Sequence, residues 1–285
     1  MPLLDIKRRI KSVNSTMQVT KAMNLVASSK LTRAKDNFND IKPFFESTKN
    51  VIANVVRRVG TVNNPFLNER EIKRTAVVVI TGDRGLCGGY NAAVCKCALN
   101  TLEEGEEPAV VTVGTKGRDF FKHRNIPILS SYREMSDRPS YTDAKSVGEK
   151  VAELFLKGEV DEVYLAYTKF ISTISNTPEI IKLLPLDPDD FKTEADEGPE
   201  TLTIYEPGEE EVLEYIVPRY INTVLYGAMV ESSVCELSSR MTAMDAATDN
   251  AAEMIDTLNI QYNRARQGAI TQEITEIVSG SNALE

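Results

Sequence analysis

The chain has 285 residues, room for one large or two small domains, and no run approaches the roughly 18 unbroken apolar residues that a membrane span needs. Its net charge of −9 is local: residues 187–211 hold eleven acids against Lys192 alone, a balance of −10, so the rest sums to about +1 (−9 minus −10). A nucleic-acid binder would need a basic face on a folded domain, so that class is set aside, as is direct membrane insertion.

The chain goes from Met1 almost directly into patterned sequence, with no charged-then-apolar leader, and a cytosol-like compartment is expected. The first segment places apolar or small residues at steps of four and three: Ile6, Ile10, Val13, Met17, Thr20, Asn24, Ala27, Leu31, Ala34 and Phe38. This 3.5-residue period is the seam of a left-handed coiled coil, with polar Thr20 and Asn24 as soft spots. Between residues 7 and 35 lie Lys7, Arg8, Arg9, Lys11, Lys21, Lys30, Arg33 and Lys35 without one Asp or Glu. Surface helices ordinarily mix signs so that neighbours three or four apart support each other. A helix that does not do so is expected to meet an acidic partner outside itself.

The middle differs in kind. Short β-branched or apolar runs at 75–81, 109–115, 126–131, 162–170 and 179–186 predict strands, and 91–104, 116–123 and 141–157 predict helices between several of them. Such alternation predicts a parallel or mixed sheet covered by helices. The sharpest motif, TGDRGLCGGYN at 81–91, lies after a strand and before a helix. Its glycines could cradle phosphate at the helix N-terminus, yet the spacing fits neither G-x-x-x-x-G-K-[ST] nor G-x-G-x-x-G. A tight structural turn with Asp83 and Arg84 exposed is the expectation, and GTKGRD at 114–119 is a weaker signal still.

Cys87, Cys95, Cys97 and Cys235 include a C-x-C pair in a predicted helix and are expected to be reduced thiols. The single histidine, His123, sits between Lys122 and Arg124 at a solvated helix end, which leaves a zinc site without ligands. Asp189 and Asp190 fall in a Pro- and Gly-rich loop that offers no rigid frame for acid–base work.

The coiled-coil rhythm returns from Leu213 to Ala269, through Val230, Leu237, Met244 and Leu258, without a slip. No proline interrupts between Pro218 and Gly280, which predicts one helix of about 60 residues and roughly 90 Å. Its partner along part of the way is the N-terminal helix, paired antiparallel. The end, TEIVSGSNALE, exposes Ile277, Val278 and Leu284 beyond the reach of any partner helix in the chain.

At three places spread along its length the chain resembles the gamma subunits of rotary F-type ATP synthases. These are Thr20, Lys21, Ala22 and Met23 in the family's T-K-A-M position, the GDRGLCGGYN turn, and RARQGAITQEITEIVSG with Ile270, Thr271, Glu273, Glu276 and Gly280. Ser281, where the family usually has Ala, is a small-for-small change. The resemblance implies an α/β fold class, a Rossmann-like α/β domain inserted between long N- and C-terminal helices that form an antiparallel coiled coil. The corresponding divisions are 1–60, 70–190, an acidic loop at 191–211, and 212–285.

It further implies a central rotor shaft that couples ion flow to ATP synthesis or hydrolysis without being catalytic, and that holds no cofactor. The implied partners are a 3:3 hexamer of alpha and beta subunits around one copy, the epsilon subunit and the membrane c-ring, on the cytoplasmic side of a bacterial cell membrane. Beta-subunit contacts fall to Arg8, Arg9, Lys21, Met23, Lys30, Arg240, Arg266, Gln267, Thr271 and Glu273. The bearing tip falls to Ile277, Val278 and Leu284, and the membrane-ring contact to Tyr205, Glu206 and Glu209. Chloroplast relatives carry a regulatory cysteine pair after the last strands; 187–211 has none. Two rival readings are a nucleotide-using α/β enzyme with helical arms and a self-associating coiled-coil scaffold.

Overall fold

The computed structural model describes residues 3–59, 64–67, 71–103, 105, 107–186, 206 and 208–282. The elements in chain order are α1 (Leu3–Val59), β1 (Arg74–Ile80), α2 (Tyr90–Leu102), β2 (Glu107–Val113), α3 (Thr115–Lys122), β3 (Ile128–Tyr132), α4 (Tyr141–Leu156), β4 (Glu162–Phe170), β5 (Asn176–Leu184) and α5 (Glu209–Asn282). The chain divides into two compact units, one of Met1–Ser28 with Arg240–Glu285 and one of Ser29–Ser239.

The larger unit is built on a five-stranded sheet of order β3-β2-β1-β4-β5, parallel except for β5, which pairs antiparallel with β4. Strands buried on both faces read as continuous apolar runs, and β1 shows why. Ala76, Val78 and Ile80 point to a core shared with Val147, Val151 and Phe155 of α4 and with Leu213, Ile221 and Leu225 of α5. Val77 and Val79 point the other way, to Val94, Cys95, Ala98 and Leu102 of α2 and Phe121 of α3. Helix α4 begins with a capping box in which the Ser140 hydroxyl accepts from the Asp143 N–H and the Asp143 carboxylate accepts from the Ser140 N–H, pairing two orphan donors.

Both long helices run through a proline, Pro43 in α1 and Pro218 in α5. The C-terminal helix, expected within 212–285 at about 60 residues, runs over 74, from Glu209 to Asn282. A helical proline leaves the carbonyl four residues earlier without its N–H. Here those carbonyls belong to Asn39 and Glu214, both exposed residues, so the lost bond is open to replacement by solvent.

The smaller unit is an antiparallel helix pair. Thr20 Oγ1 accepts from the Thr248 hydroxyl at 2.8 Å, and Asn24 Nδ2 donates to the Met241 carbonyl at 3.0 Å. Advancing along α1 from Thr20 to Asn24 means going back along α5 from Thr248 to Met241. Ile6, Thr20 and Ala27 are buried on α1, and Met244, Ala251 and Leu258 on α5, as the 3.5-residue period requires. The polar seam residues are not soft spots, since each is satisfied across the seam.

Candidate functional site

The glycine turn after β1 is held by a closed polar network. The Thr81 N–H and hydroxyl both donate to the Val113 carbonyl, at 2.8 and 3.0 Å, and the Gly117 N–H donates to Thr81 Oγ1 at 2.9 Å. Asp83 then accepts from the N–H and hydroxyl of Thr115, both at 2.9 Å, and from the Ser136 hydroxyl at 2.8 Å. Burial raises its pKa, but these bonds, first that from Ser136, outweigh burial and hold the carboxyl below its ordinary value. The expectation of an exposed Asp83 is thus corrected, while Arg84 is exposed. A carboxylate of the chain itself already sits at the N-terminus of α3, the helix that carries GTKGRD.

The crevice at the carboxyl ends of β1 and β4, where open α/β sheets bind their ligands, is filled from within as well. The Tyr90 hydroxyl donates to the Ser232 carbonyl at 3.1 Å, and the Thr168 N–H donates to the Ser232 hydroxyl at 3.3 Å. Buried Glu236 packs so closely that a Cβ on Gly82 would stand 2.8 Å from its Oε1. Glycine at 82 makes room for α5. Cys87, Cys95 and Cys235 are equally withdrawn, and Cys97 is half-buried: burial pushes Cys95 up to about 12 and raises Cys235 further. No helix among the described residues is long and apolar enough to cross a membrane, and no group of three or more His, Cys, Asp or Glu among them could hold a metal ion.

What the chain presents outward is helix surface. In the smaller unit Lys7, Arg8, Arg9, Lys11 and Lys21 are exposed, and among the described residues the one ion pair within 4.0 Å that they make is Arg8 with Asp5 at 3.9 Å. Lys30, in the larger unit, differs: its ammonium lies 2.6 Å from Asp137 of the β3–α4 connection. The expectation that Lys30 carries free charge is corrected, because a loop more than a hundred residues away folds onto it. Half-buried Met23 lies between exposed Val19 and Val26 at steps of four and three, an apolar stripe among the cations.

Arg240 is partly buried, and Arg266, Gln267, Thr271 and Glu273 are all exposed. The Thr271 hydroxyl donates back to the Gln267 carbonyl at 2.9 Å. From Arg266 to Ser279 every residue of α5 is exposed. Ile270, Ile274 and Ile277 recur there at steps of four and three, with Ile277 72% and Val278 53% exposed. Sequence reasoning named Ile277 and Val278 but passed over the stripe through Ile274 and the one through Val19 and Val26. Its signal was apolar residues recurring at 3.5 spacing off the seam. Glu206 is exposed; Tyr205, Leu284 and the side chain of Glu209 lie outside the described residues.

These features define a class of protein in which a mostly parallel, helix-covered sheet has its crevice filled by the chain's own C-terminal helix and in which long stretches of helix surface are exposed. The family model described as ATP synthase matches residues 2–284. The ATP synthase gamma chain of Alkaliphilus metalliredigens is 48% identical over 99% of this chain and 98% of its own. The sodium-ion-specific ATP synthase gamma chain of Acetobacterium woodii is 45% identical, covering 98% of each. Among solved structures, a chain of the central stalk and c-ring of the Tetrahymena thermophila mitochondrial ATP synthase superposes with a TM-score of 0.62 at 25% identity, over 80% of this chain and 99% of that one. The chain belongs to the ATP synthase gamma-chain family.

Proposed function

We propose that this chain is the turning shaft of a rotary ATP synthase, coupling ion flow through a membrane ring to ATP synthesis or hydrolysis on other subunits. The observation that carries this reading is the exposed segment Arg266–Ser279, an apolar-striped helix with no covering helix among the described residues. Isolated helix in water is marginal, so such a length is kept by a surrounding partner. A ring of alternating alpha and beta subunits around one copy supplies that surround.

The cations of α1, at Arg8, Arg9 and Lys21, and the stripe through Met23 face acidic and apolar beta-subunit groups, as do Arg240, Arg266, Gln267, Thr271 and Glu273. Lys30 contributes less, being paired already with Asp137. Ile277, Val278 and Leu284 form a bearing poor in charge. Breaking a desolvated ion pair by losing one partner costs about 3–5 kcal/mol, and a shaft passing similar faces in turn must avoid such wells. Differential contact along an asymmetric shaft biases the open and closed states of the beta subunits.

The larger unit meets the epsilon subunit and the c-ring, the latter through Tyr205, Glu206 and Glu209 at the cytoplasmic face. The chain does no bond chemistry of its own in this reading, which is supported by Glu236 packed against Gly82 in the sheet's crevice and by Asp83 bound at the N-terminus of α3. The division into a coiled-coil segment at 1–60, an α/β domain at 70–190, an acidic loop at 191–211 and a helix at 212–285 serves these partners in turn. Co-purification tests the proposal. The chain should emerge as one copy to three each of two larger nucleotide-binding chains; stable homodimers, or ATP turnover by the isolated chain, would overturn it.

A further inference from the structure

The larger unit contains a cavity that the proposed function does not use. It opens between α1, β4 and α5 with a volume of about 240 Å3, and its walls include Phe38, Phe45, Tyr167 and Phe170. Phe38 and Phe170 meet edge to face with centroids 6.2 Å apart. Half-buried Glu231 of α5 also lines it, and one carboxylate oxygen accepts the Phe170 N–H at 2.9 Å. Its second oxygen has no hydrogen-bond donor among the described residues.

The charged and titratable groups that face Glu231 are Lys42 and Glu46 from α1, Tyr167 and Lys169 from β4, Glu179 from β5 and Cys235 from α5 itself. Lys169 is held by Glu179 at 2.9 Å and Lys42 by Glu46 at 3.9 Å. Glu231 itself has no ion pair within 4.0 Å among the described residues; Lys169 and Lys42 favour its charge only from farther off, each being drawn also to its own carboxylate. A carboxylate against apolar walls is costly without a partner. The same rings already attract ammonium groups: Lys35 stands 5.5 Å from the Phe170 centroid and Lys42 6.0 Å from that of Phe38.

We propose that this cavity binds a small organic cation, an apolar body bearing one ammonium group, with the ammonium on Glu231 and the body among Phe38, Phe45 and Phe170. Few polar groups fixing an otherwise apolar ligand is the usual economy of such sites. An apolar hole without charge preference would take neutral and cationic ligands alike, and a site governed by Lys42 and Lys169 would take anions.

The test titrates the full-length chain with 2-phenylethylamine, 2-phenylethanol and 3-phenylpropionate, following backbone amide shifts. Saturable binding of the amine is expected, with the Phe170 amide among the resonances that move, at least tenfold weaker binding of the alcohol, and none of the carboxylate. Glu231→Gln keeps an acceptor for the Phe170 N–H and should weaken the amine at least tenfold while leaving the alcohol unchanged; an unaltered amide spectrum elsewhere shows that the variant folds. Burial holds the Glu231 pKa above its ordinary value, so amine affinity should also fall as pH drops through that raised value. Equal affinity for amine and alcohol, amine binding indifferent to Glu231→Gln, or no saturable binding would overturn the proposal.

Discussion

Asp83 shows how a single residue converts a loop motif into a joint. Its partners, Thr115 and Ser136, lie 32 and 53 residues away, so nothing local in GDRG announces them. Asp83→Asn should destabilise the isolated chain by about 1.5–3 kcal/mol, the range for hydrogen bonds to a charged group. The pH dependence follows in sign. The folded-state pKa is depressed, so the stabilisation is present above the ordinary value of 3.8 and is lost as pH falls from there through the folded pKa. Thermal unfolding of parent and variant should therefore converge in acid; a gap that persists below that range would contradict the account.

Gly114 is the second joint, with φ +97° and an added Cβ only 2.2 Å from the Thr81 carbonyl oxygen. Gly114→Ala should cost about 2–4 kcal/mol, from left-handed strain and backbone clash together. Denaturant titration of the isolated chain checks this, and a loss under 1 kcal/mol (about the size of an ordinary substitution) would show that the turn relaxes.

At the scale of elements, most of the molecule is legible in the sequence, for reasons that differ by element. Period 3.5 reports the α1–α5 seam because one face of each helix is buried over many turns. Apolar runs report β1 and β2 because both of their faces are covered. Pro218 does not break α5, since propensity speaks for an isolated helix and packing of Leu213 and Val217 overrides it. Of the candidate surface, the lone cations of α1 are visible as a run without acids, but the capture of Lys30 by Asp137 is a tertiary event.

Two predictions belong to this scale. Replacing Arg8, Arg9 and Lys21 by Gln should weaken coupling in the assembled complex and reduce its response to added salt, because exposed charges are screened over about 10 Å at 0.1 M. An unchanged salt dependence of coupled activity would argue for apolar contact alone. Removing residues 278–285 should leave an assembled complex with reduced but present ATPase activity, since Arg266, Gln267, Thr271, Glu273 and the stripe from Ile270 to Ile277 remain. Complete loss of catalysis in a correctly assembled complex would sink the bearing role.

For the whole molecule, the two units divide the work by chemistry. One offers cations and apolar stripes along helices; the other has closed its crevice with Tyr90, Ser232 and Glu236. Family membership and this division converge on a part that moves against others. The most direct measurement attaches a fluorescent probe to Lys122→Cys, an exposed position on α3, in a Cys97→Ser background, and follows it in single complexes immobilised through the hexamer and supplied with ATP. Unidirectional, stepwise rotation of the probe is the predicted result. A probe that stays fixed while the same complexes hydrolyse ATP would contradict the account.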